Sequence, residues 1–313
     1  MPDLLVAGRH CSVVAGSNLL DMLLANGVRV PYSCRAGSCH ACLVRCVAGD
    51  VLDAQPEALS DARRRDGWRL ACQCKVAGDL AVEVFDPARD GVSAELVACD
   101  WLGPGVLRLR LQPQRPLRYS AGQHIVLWTQ GGVARPYSLA SLPGEDAWLE
   151  FHLDCHQPGA FSDAARTLRP GDVLRLGELR GGALYYDPDW QDRPLWLLAA
   201  GTGLAPLWGV LREALRQQHQ GPIRVLHVAG NEDGHYLADA LSELALAHSQ
   251  LQVELIDATE LAAVLAELKL VSRQTIALLC GSPASVDAFA RRLYLAGVPR
   301  NQVLADVFLP RVG

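Results

Sequence analysis

Cysteine spacing near the N-terminus constrains this chain more than any other feature of its sequence. The stretch YSCRAGSCHACLVRC, residues 32–46, contains Cys34, Cys39 and Cys42 in the pattern C-x4-C-x2-C, and Cys72 follows in WRLACQC. Cysteines this crowded form a disulfide framework, a zinc site or an iron–sulfur cluster. Each alternative fixes the surrounding loop, so the choice among them decides how the first part of the chain folds.

Composition describes a folded chain of two or three domains. Its 313 residues are 50% hydrophobic and only 20% charged, which argues against extended disorder. The net charge of −5, with a pI near 6.0, provides no basic field for a phosphate backbone, and no Lys/Arg cluster is interleaved with aromatic residues. We therefore expect no nucleic-acid partner.

The N-terminus and the hydropathy pattern favour a cytoplasmic protein with no membrane partner. The first residues, MPDLLVAGRHCSVV, lack a basic segment followed by an apolar run, and no later stretch holds about 18 apolar residues without charge. Thiols stay reduced in the cytoplasm, so the ten cysteines favour metal or cluster ligation over disulfides.

The spacing favours iron over zinc. Structural zinc usually binds paired C-x2-C knuckles, and the remote pair Cys72-x-Cys74 is too tight for one. C-x4-C-x2-C with a distant fourth cysteine is the ligand spacing of plant-type [2Fe–2S] clusters. Cys46 and Cys74 fall in strand-like runs and are expected to be buried thiols without ligands. The predicted cluster ligands are Cys34, Cys39, Cys42 and Cys72.

The residues around these cysteines fit a small module. The loop RAGS, which follows Cys34, can turn backbone N–H groups inward toward a cluster. The stretch GSNLLDMLLANGV predicts a short amphipathic helix between the cap Ser17 and the terminator Gly27. We expect His40 to be an exposed loop histidine, and the run DARRRDGW, which contains Arg63, to be a solvated face.

The middle of the chain changes to short β-rich runs such as GVLRLRLQP, QHIVLWT and WLEFHLD, which predict a small antiparallel barrel. Within it, RPYSLAS places Arg135 and Tyr137 on one side of a strand, where a guanidinium and a ring could meet one ligand. Ser138 could offer its hydroxyl or N–H to a flavin. PGAFSDAARTL predicts a turn into a short helix, with Gly159 and Ser162 near N–H groups that suit phosphate.

The last part alternates strand and helix patterns, from PLWLLAAG to VLADVF, and predicts a parallel sheet covered by helices on both faces. Its first strand runs into Gly201-Thr202-Gly203 and then into an amphipathic helix. Glycines there would let the backbone approach a pyrophosphate. The pattern departs from G-x-G-x-x-G because Pro206 stands where the third glycine would be.

Taken in order, these motifs resemble the ferredoxin–NAD(P) reductase family, and within it the three-domain reductase components of bacterial aromatic-ring dioxygenases and multicomponent monooxygenases. The resemblance spans essentially the whole chain. It implies a plant-type [2Fe–2S] ferredoxin domain of α+β, β-grasp fold over residues 1–88, an antiparallel β-barrel FAD domain over 92–190 and an α/β NAD(P)H domain with a parallel sheet over 191–313. It rests on the cysteine pattern, R-P-Y-S at 135–138, G-T-G-L-A-P at 201–206, C-G-S-P at 280–283 and ADVFLP at 305–310.

The resemblance also implies roles for single residues. In the family's pattern Arg135 lies at the FAD pyrophosphate and Tyr137 against the isoalloxazine, and Ser138, Cys280 and Phe308 lie near the reacting atoms. The implied cofactor-binding residues are Arg135, Pro136, Tyr137, Ser138, Gly159, Ser162, Gly201, Thr202, Gly203, Cys280 and Gly281.

Domain order and charge favour particular cofactors. In the family, an N-terminal ferredoxin domain accompanies FAD, whereas a C-terminal one accompanies FMN. Gly230-Asn231-Glu232-Asp233 stands where many members have Gly-x-Arg. Carboxylates there would repel a 2′-phosphate, so NADH is favoured over NADPH.

These cofactors together predict an electron relay from NADH through FAD to the [2Fe–2S] cluster and then to an oxygenase component or a separate ferredoxin. Hydride carries two electrons, a cluster accepts one, and a flavin handles both. Two alternatives remain: the same relay serving a deoxysugar dehydrase, and a redox sensor without enzymatic activity. Hydride transfer needs no general base, so His152 and His156 are interpreted as ordinary strand and loop residues.

Overall fold

The computed structural model describes residues 1–269 and 272–309, which form three large sheets that follow one another along the chain and one two-stranded ribbon. Pro310 of the ADVFLP motif lies outside the described residues. Over that described part, no helix has the length and apolar character needed to cross a membrane.

The first sheet is mixed, and a short helix packs across it, as the β-grasp expectation requires. Its strand order is β2-β1-β7-β3-β5, in which β1 and β7 are parallel and the other neighbours antiparallel, and β4 pairs with β6 in a separate ribbon. The strands are β1 (Asp3–Val6), β2 (Arg9–Ser12), β3 (Leu43–Ala48), β4 (Val51–Asp53), β5 (Trp68–Leu70), β6 (Cys74–Val76) and β7 (Leu80–Val84). The helices are α1 (Leu19–Ala25) and α2 (Asp61–Arg65).

Helix α1 forms where the apolar spacing predicts it, but its cap differs. Leu19, Leu20 and Leu23 are buried on one face. The Asn18 side chain, not Ser17, accepts the Asp21 N–H, so the predicted cap is one residue early. Asn competes well for this position because its short amide reaches the first free N–H groups.

The second sheet is the predicted antiparallel barrel. Its strand order is β11-β10-β13-β8-β9-β12, and all neighbours are antiparallel. Ala140, just after β11, donates its N–H to the carbonyl of Glu150 on β12 at 2.9 Å, which draws the two edges together. The strands are β8 (Val92–Gly103), β9 (Val106–Pro113), β10 (His124–Trp128), β11 (Ala134–Ser138), β12 (Leu149–Asp154) and β13 (Val173–Arg180), with helix α3 (Ala160–Ala165).

The third sheet is the predicted parallel one, in the order β16-β15-β14-β17-β18. Alternate residues of β14 serve two cores, because side chains on a strand alternate faces. Leu197 packs with α4 residues such as Leu207, and Leu198 packs with Phe289 of α7. The strands are β14 (Leu195–Ala200), β15 (Ile223–Ala229), β16 (Leu251–Asp257), β17 (Ile276–Gly281) and β18 (Val303–Val307), and the helices are α4 (Leu204–Arg216), α5 (Ala238–Ala247), α6 (Leu261–Glu267) and α7 (Pro283–Ala296).

The first domain and the barrel share one hydrophobic core. Val126, Trp128 and Ala134 of the barrel belong to the same buried cluster as the core of the first sheet. Phe85, just after β7, stacks on Trp128. The position of the cysteine loop relative to the barrel is therefore set by packing.

Polar contacts cross the same boundary. Arg63 of α2 pairs with Glu178 of β13, whose side chain is only 11% exposed, and Arg180 donates to the Ala58 carbonyl. The expectation that the DARRRDGW run is simply a solvated face is wrong for Arg63. His40 is also buried at this boundary, at 4% exposure, rather than exposed. No local signal in the sequence distinguishes a surface that meets solvent from one that meets a second domain.

Candidate functional site

A cavity of about 460 Å³ lies where the three domains meet. Its walls combine the cysteine loop, barrel strands β10 to β12, the start of α3, the loop after β14 and the segment after β18. Predicted site residues among its lining are Cys34, Cys39, Arg135, Pro136, Tyr137, Ser138, Gly159, Ser162, Thr202 and Phe308. Residues that the sequence places far apart thus face one space.

The cysteine loop turns its N–H groups toward sulfur. Ala36 and Cys39 donate their backbone N–H groups to Sγ of Cys34 at 3.3 and 3.4 Å. Together with a hydrogen bond from the Cys39 thiol, these donors lower the pKa of Cys34 to about 4. The loop needs left-handed backbone at Arg35 (φ 52°), Gly37 (φ 82°) and His40 (φ 55°). A Cβ on Gly37 would lie 2.3 Å from Oε1 of Gln55, and an L side chain would be strained at this φ, so glycine suits the position.

Cys42 and Cys72 form a second thiol pair. A hydrogen bond from Cys42 and another from Gln73, whose Nε2 lies 3.3 Å from Sγ of Cys72, lower the pKa of Cys72 to about 7. Gln73 Nε2 also donates to the Arg35 carbonyl at 2.9 Å, which ties the remote cysteine to the loop.

This donor set fits a two-iron cluster better than a single ion. Within the described ranges, no group of three or more His, Cys, Asp or Glu side chains is arranged to hold one metal ion. The four cysteines instead approach as two pairs, Cys34 with Cys39 and Cys42 with Cys72. Two irons with four thiolates and inward N–H donors make up the ligation expected for [2Fe–2S].

The barrel wall is built by β11 and its neighbour β10. Ser138 is buried and lies directly opposite His124 in the strand register. The Tyr137 ring packs on Phe161 with centroids 4.9 Å apart, and burial raises the pKa of its phenol. Arg135 and Tyr137 both line the cavity, as their same-side placement on a strand predicts.

The start of α3 lies beside β11. The Ser162 hydroxyl donates to the Gly159 carbonyl at 3.1 Å. A Cβ on Gly159 would lie 3.1 Å from that hydroxyl, so glycine leaves the backbone accessible here.

His124 is a cavity residue that sequence reasoning missed. It is 8% exposed, and apart from the nearby Ser38 backbone its ring nitrogens have no hydrogen-bonding neighbour in the described part of the chain. Burial lowers the pKa of its imidazole. A buried imidazole with so few partners is costly, so its place on the cavity wall fits a polar ligand there. Only the strand register with Ser138 could have indicated it.

Another wall of the cavity begins at the end of β14. Gly201 adopts φ 55°, and a Cβ on Gly203 would lie 2.3 Å from the Cys280 carbonyl oxygen, so the loop and the end of β17 are in direct contact. Thr202 lines the cavity. Gly201, Gly203, Cys280 and Gly281 do not line the cavity.

Cys280 and Phe308 are joined through the backbone of Gly281. The Phe308 N–H donates to the Gly281 carbonyl at 2.8 Å, and Phe308 lines the cavity. Cys280 is fully buried, and burial raises the pKa of its thiol well above its usual range. A neutral thiol in that position offers packing rather than charge.

His152 lines the cavity as well, although its sequence suggests an ordinary strand histidine. Its side chain is completely buried, with Nε2 3.0 Å from Oε1 of Glu150 and Nδ1 3.3 Å from the hydroxyl of Tyr236. Two domains therefore meet at this histidine.

Comparison with known proteins agrees with this arrangement. Three family models match in order: a 2Fe-2S iron-sulfur cluster binding domain at residues 5–77, an oxidoreductase FAD-binding domain at 104–183 and an oxidoreductase NAD-binding domain at 197–291. The ferredoxin–NAD(P)+ reductase component of the naphthalene 1,2-dioxygenase system of Pseudomonas putida is 31% identical, over 95% of this chain and 94% of the relative.

Two further similarities cover nearly the whole chain. A CDP-6-deoxy-L-threo-D-glycero-4-hexulose-3-dehydrase reductase of Yersinia pestis is 26% identical over 94% of both chains. The crystal structure of the Amycolatopsis cytochrome P450 reductase GcoB superposes with a TM-score of 0.67 at 25% identity and covers 99% of both chains. The chain therefore belongs to the ferredoxin–NAD(P)+ reductase family and is an NAD(P)H-dependent oxidoreductase that relays electrons from NADH through FAD to a [2Fe–2S] cluster.

Proposed function

We propose that this chain is the reductase component of an oxygenase system and delivers electrons from its cluster to an oxygenase component or to a separate ferredoxin. One observation carries the proposal: cysteines of the cluster loop and Thr202 of the nucleotide loop line a single cavity. Similar proteins include the reductases of naphthalene dioxygenase and of an alkene monooxygenase of Xanthobacter autotrophicus. The relative that serves a deoxysugar dehydrase supports the same relay with a different acceptor as the second candidate.

The proposed domains are the [2Fe–2S] domain at 1–88, the FAD domain at 92–190 and the NAD(P)H domain at 191–313. The three family matches fall inside these limits. The turn at Asp86–Asp90, where Asp90 donates its N–H to the Asp86 carbonyl at 2.7 Å, supports the first boundary.

Cys34, Cys39, Cys42 and Cys72 are proposed to hold the cluster, and the cavity residues of β11 and α3 to hold FAD. Arg135 would neutralise the pyrophosphate, Tyr137 would stack on the isoalloxazine, and Gly159 and Ser162 would leave backbone and hydroxyl open to phosphate oxygens. When bound, FAD accepts the hydride of NADH as an electron pair and releases single electrons to the cluster.

The remaining predicted residues are proposed to shape the nucleotide loop or to enclose the cavity. Gly201, Thr202, Gly203, Cys280 and Gly281 are proposed to shape the nucleotide loop, because Gly203 and the Cys280 carbonyl leave no room for a side chain between them. Ser138 lines the cavity from the barrel, and Phe308 lines it from the C-terminal segment. There they would align the isoalloxazine and nicotinamide rings and exclude water.

NADH is proposed over NADPH. Glu232 and Asp233 are exposed in the turn just after β15, where a 2′-phosphate would need a cation. A cytoplasmic location is proposed because all ten cysteines are free thiols.

An anaerobic titration tests the relay. NADH is added to the cofactor-replete protein while visible absorbance and EPR are recorded on the same sample. We expect flavin bleaching and the EPR signal of a reduced [2Fe–2S] cluster. Cys42→Ser should abolish the cluster signal, whereas Cys46→Ser, a thiol on β3, should keep it. Absence of bleaching with either nucleotide would favour the redox sensor, and copurification would identify the acceptor.

A further inference from the structure

Two consecutive residues, His235 and Tyr236, connect the nucleotide loop with the flavin cavity. Both lie on the segment between β15 and α5. His235 points toward the nucleotide loop through His227, and Tyr236 points toward the cavity through His152. Neither the motifs nor the family resemblance assigns a role to this segment beyond its acidic residues.

The contacts of His235 fix the nucleotide loop. His227 is completely buried, with Nε2 3.0 Å from the Gly201 carbonyl and Nδ1 3.2 Å from Nδ1 of His235. A carbonyl only accepts hydrogen bonds, so Nε2 of His227 carries the proton and donates. Nδ1 of His227 is then an acceptor, and His235 must donate to it.

The contacts of Tyr236 reach the cavity wall. Arg110 holds Glu150 at 2.7 Å, and burial, which alone would raise the pKa of this carboxyl, is outweighed by hydrogen bonds from His152 and Arg110 that lower it to about 2. An ionised Glu150 only accepts, so Nε2 of His152 donates to it. In the neutral imidazole the other nitrogen is an acceptor, so Nδ1 of His152 accepts from the Tyr236 hydroxyl. The direction of each hydrogen bond is set.

Packing leaves Tyr236 little freedom. Its ring meets His152 edge-on with centroids 5.3 Å apart and meets His227 in the same way at 5.8 Å. Gly103 of the barrel supports it from another side, since a Cβ there would lie 3.5 Å from the Tyr236 Cβ. Movement of His152 would therefore be passed to Tyr236 and to the segment that carries it.

We propose that Tyr236 is a positioning residue that couples filling of the flavin cavity to the shape of the NADH site. With the cavity filled, His152 is held, Tyr236 keeps its hydrogen bond, and His235 stays in place to support Gly201 through His227. The inference rests on the proposed function, which puts NADH at the Gly201 loop and the Glu232 turn. FAD should then tighten binding of the adenosine half of NADH, which does not touch the flavin ring.

A matched control exists in the same chain. Tyr186 donates or accepts a hydrogen bond with Nδ1 of His219 at 3.0 Å, and their rings meet edge-on at 5.7 Å. Both residues are buried, at 8% and 0% exposure, and neither lines the cavity. Tyr186→Phe removes the same kind of bond as Tyr236→Phe without touching the proposed link.

The test measures the affinity of ADP-ribose for the full-length protein with and without FAD. ADP-ribose lacks nicotinamide and cannot stack on the flavin. We expect FAD to tighten ADP-ribose binding about five-fold or more in the wild type and in Tyr186→Phe. The ratio should approach one in Tyr236→Phe. A wild-type ratio of one, or an unchanged ratio in Tyr236→Phe, overturns the coupling while leaving the proposed NADH site intact.

A second measurement needs no variant. Addition of FAD to the flavin-free wild-type protein should slow hydrogen–deuterium exchange across residues 231–237, and unchanged exchange there overturns the inference. If ADP-ribose does not bind even the FAD-loaded wild type, the proposed NADH site itself is wrong and the inference fails with it.

Discussion

Phe85 and Trp128 stack across the boundary between the ferredoxin domain and the barrel, with ring centroids 5.7 Å apart and planes inclined by 24°. Trp68 also packs on Phe85, with centroids 5.9 Å apart, so the three rings form a continuous contact from one domain into the next. Trp128 is only 5% exposed. This stack, with the Arg63–Glu178 ion pair beside it, holds the cysteine loop against the cavity between the domains.

Trp128→Ala should weaken both the fold and the relay. Removing a buried indole costs about 3–5 kcal/mol of unfolding free energy, measurable by urea denaturation. Flavin reduction by NADH should keep its rate in stopped-flow absorbance, whereas cluster reduction should slow because the loop loses its support. Trp101→Ala is the control, since Trp101 is 49% exposed and should cost about 0.5 kcal/mol. Equal losses in the two variants would contradict the packing argument.

Arg135→Gln should weaken FAD binding by about 10- to 100-fold, because a hydrogen bond to a charged group is worth about 1.5–3 kcal/mol. Fluorescence titration of the flavin-free protein measures this directly. Arg175, on strand β13 of the same barrel, does not line the cavity. Arg175→Gln should therefore bind FAD like the wild type, and a similar loss there would point to a general charge effect.

Glu232→Arg should shift the nucleotide preference toward NADPH. The exposed turn after β15 would then offer a cation to the 2′-phosphate instead of a carboxylate, and we expect the NADPH-to-NADH ratio of kcat/KM to rise about ten-fold. Glu243→Arg makes the same charge change at an exposed position of helix α5. An equal rise in that control would attribute the effect to net charge.

Acid should destabilise this protein from about pH 6.5 downward. Burial lowers the pKa of His40 to about 3 and of His227 to about 4, below the ordinary value near 6.5. As the pH falls, the unfolded chain therefore binds these protons before the folded chain does. The contribution of these histidines to the free energy of unfolding is fully present above pH 6.5 and decreases as the pH falls toward 4. Other described histidines with a lowered pKa are His124, His152, His219 and His235.

His227→Gln isolates one contribution. It removes a titrating group whose share is up to about 1.4 kcal/mol per pH unit below pH 6.5. Urea unfolding at pH 7.5 and 5.5 should show a smaller loss of stability in this variant than in the wild type. His156→Gln, with a side chain 51% exposed, should show the wild-type loss. A wild-type loss in His227→Gln would mean that His227 is not kept neutral.

Local patterns in the sequence predict the fold well. The continuous apolar run of β14, the helical spacing on α1 and α4 and the order of the motifs indicate the faces that each element buries by itself. The same reasoning predicts that Arg135 and Tyr137 face the same ligand, because residues two positions apart on a strand lie on the same face.

The contents of the cavity beyond those motifs could not be predicted, because they depend on pairing between distant segments. His124 becomes recognisable only through its register with Ser138, and His152 only through its contact with Tyr236 from another domain. His40 shows the same limit, since a loop position reads as exposed until the barrel covers it.

The core that continues through Val126, Trp128 and Ala134 has a consequence for how such proteins are recombined. A [2Fe–2S] domain grafted from another reductase would bring its own version of Phe85 against a barrel surface shaped for this one. Chimeras joined only at the linker would have a poorly packed interface between the two domains, and the cysteine loop would be displaced. The unit that engineering or gene fusion has to transfer is therefore the domain together with the barrel residues that it covers.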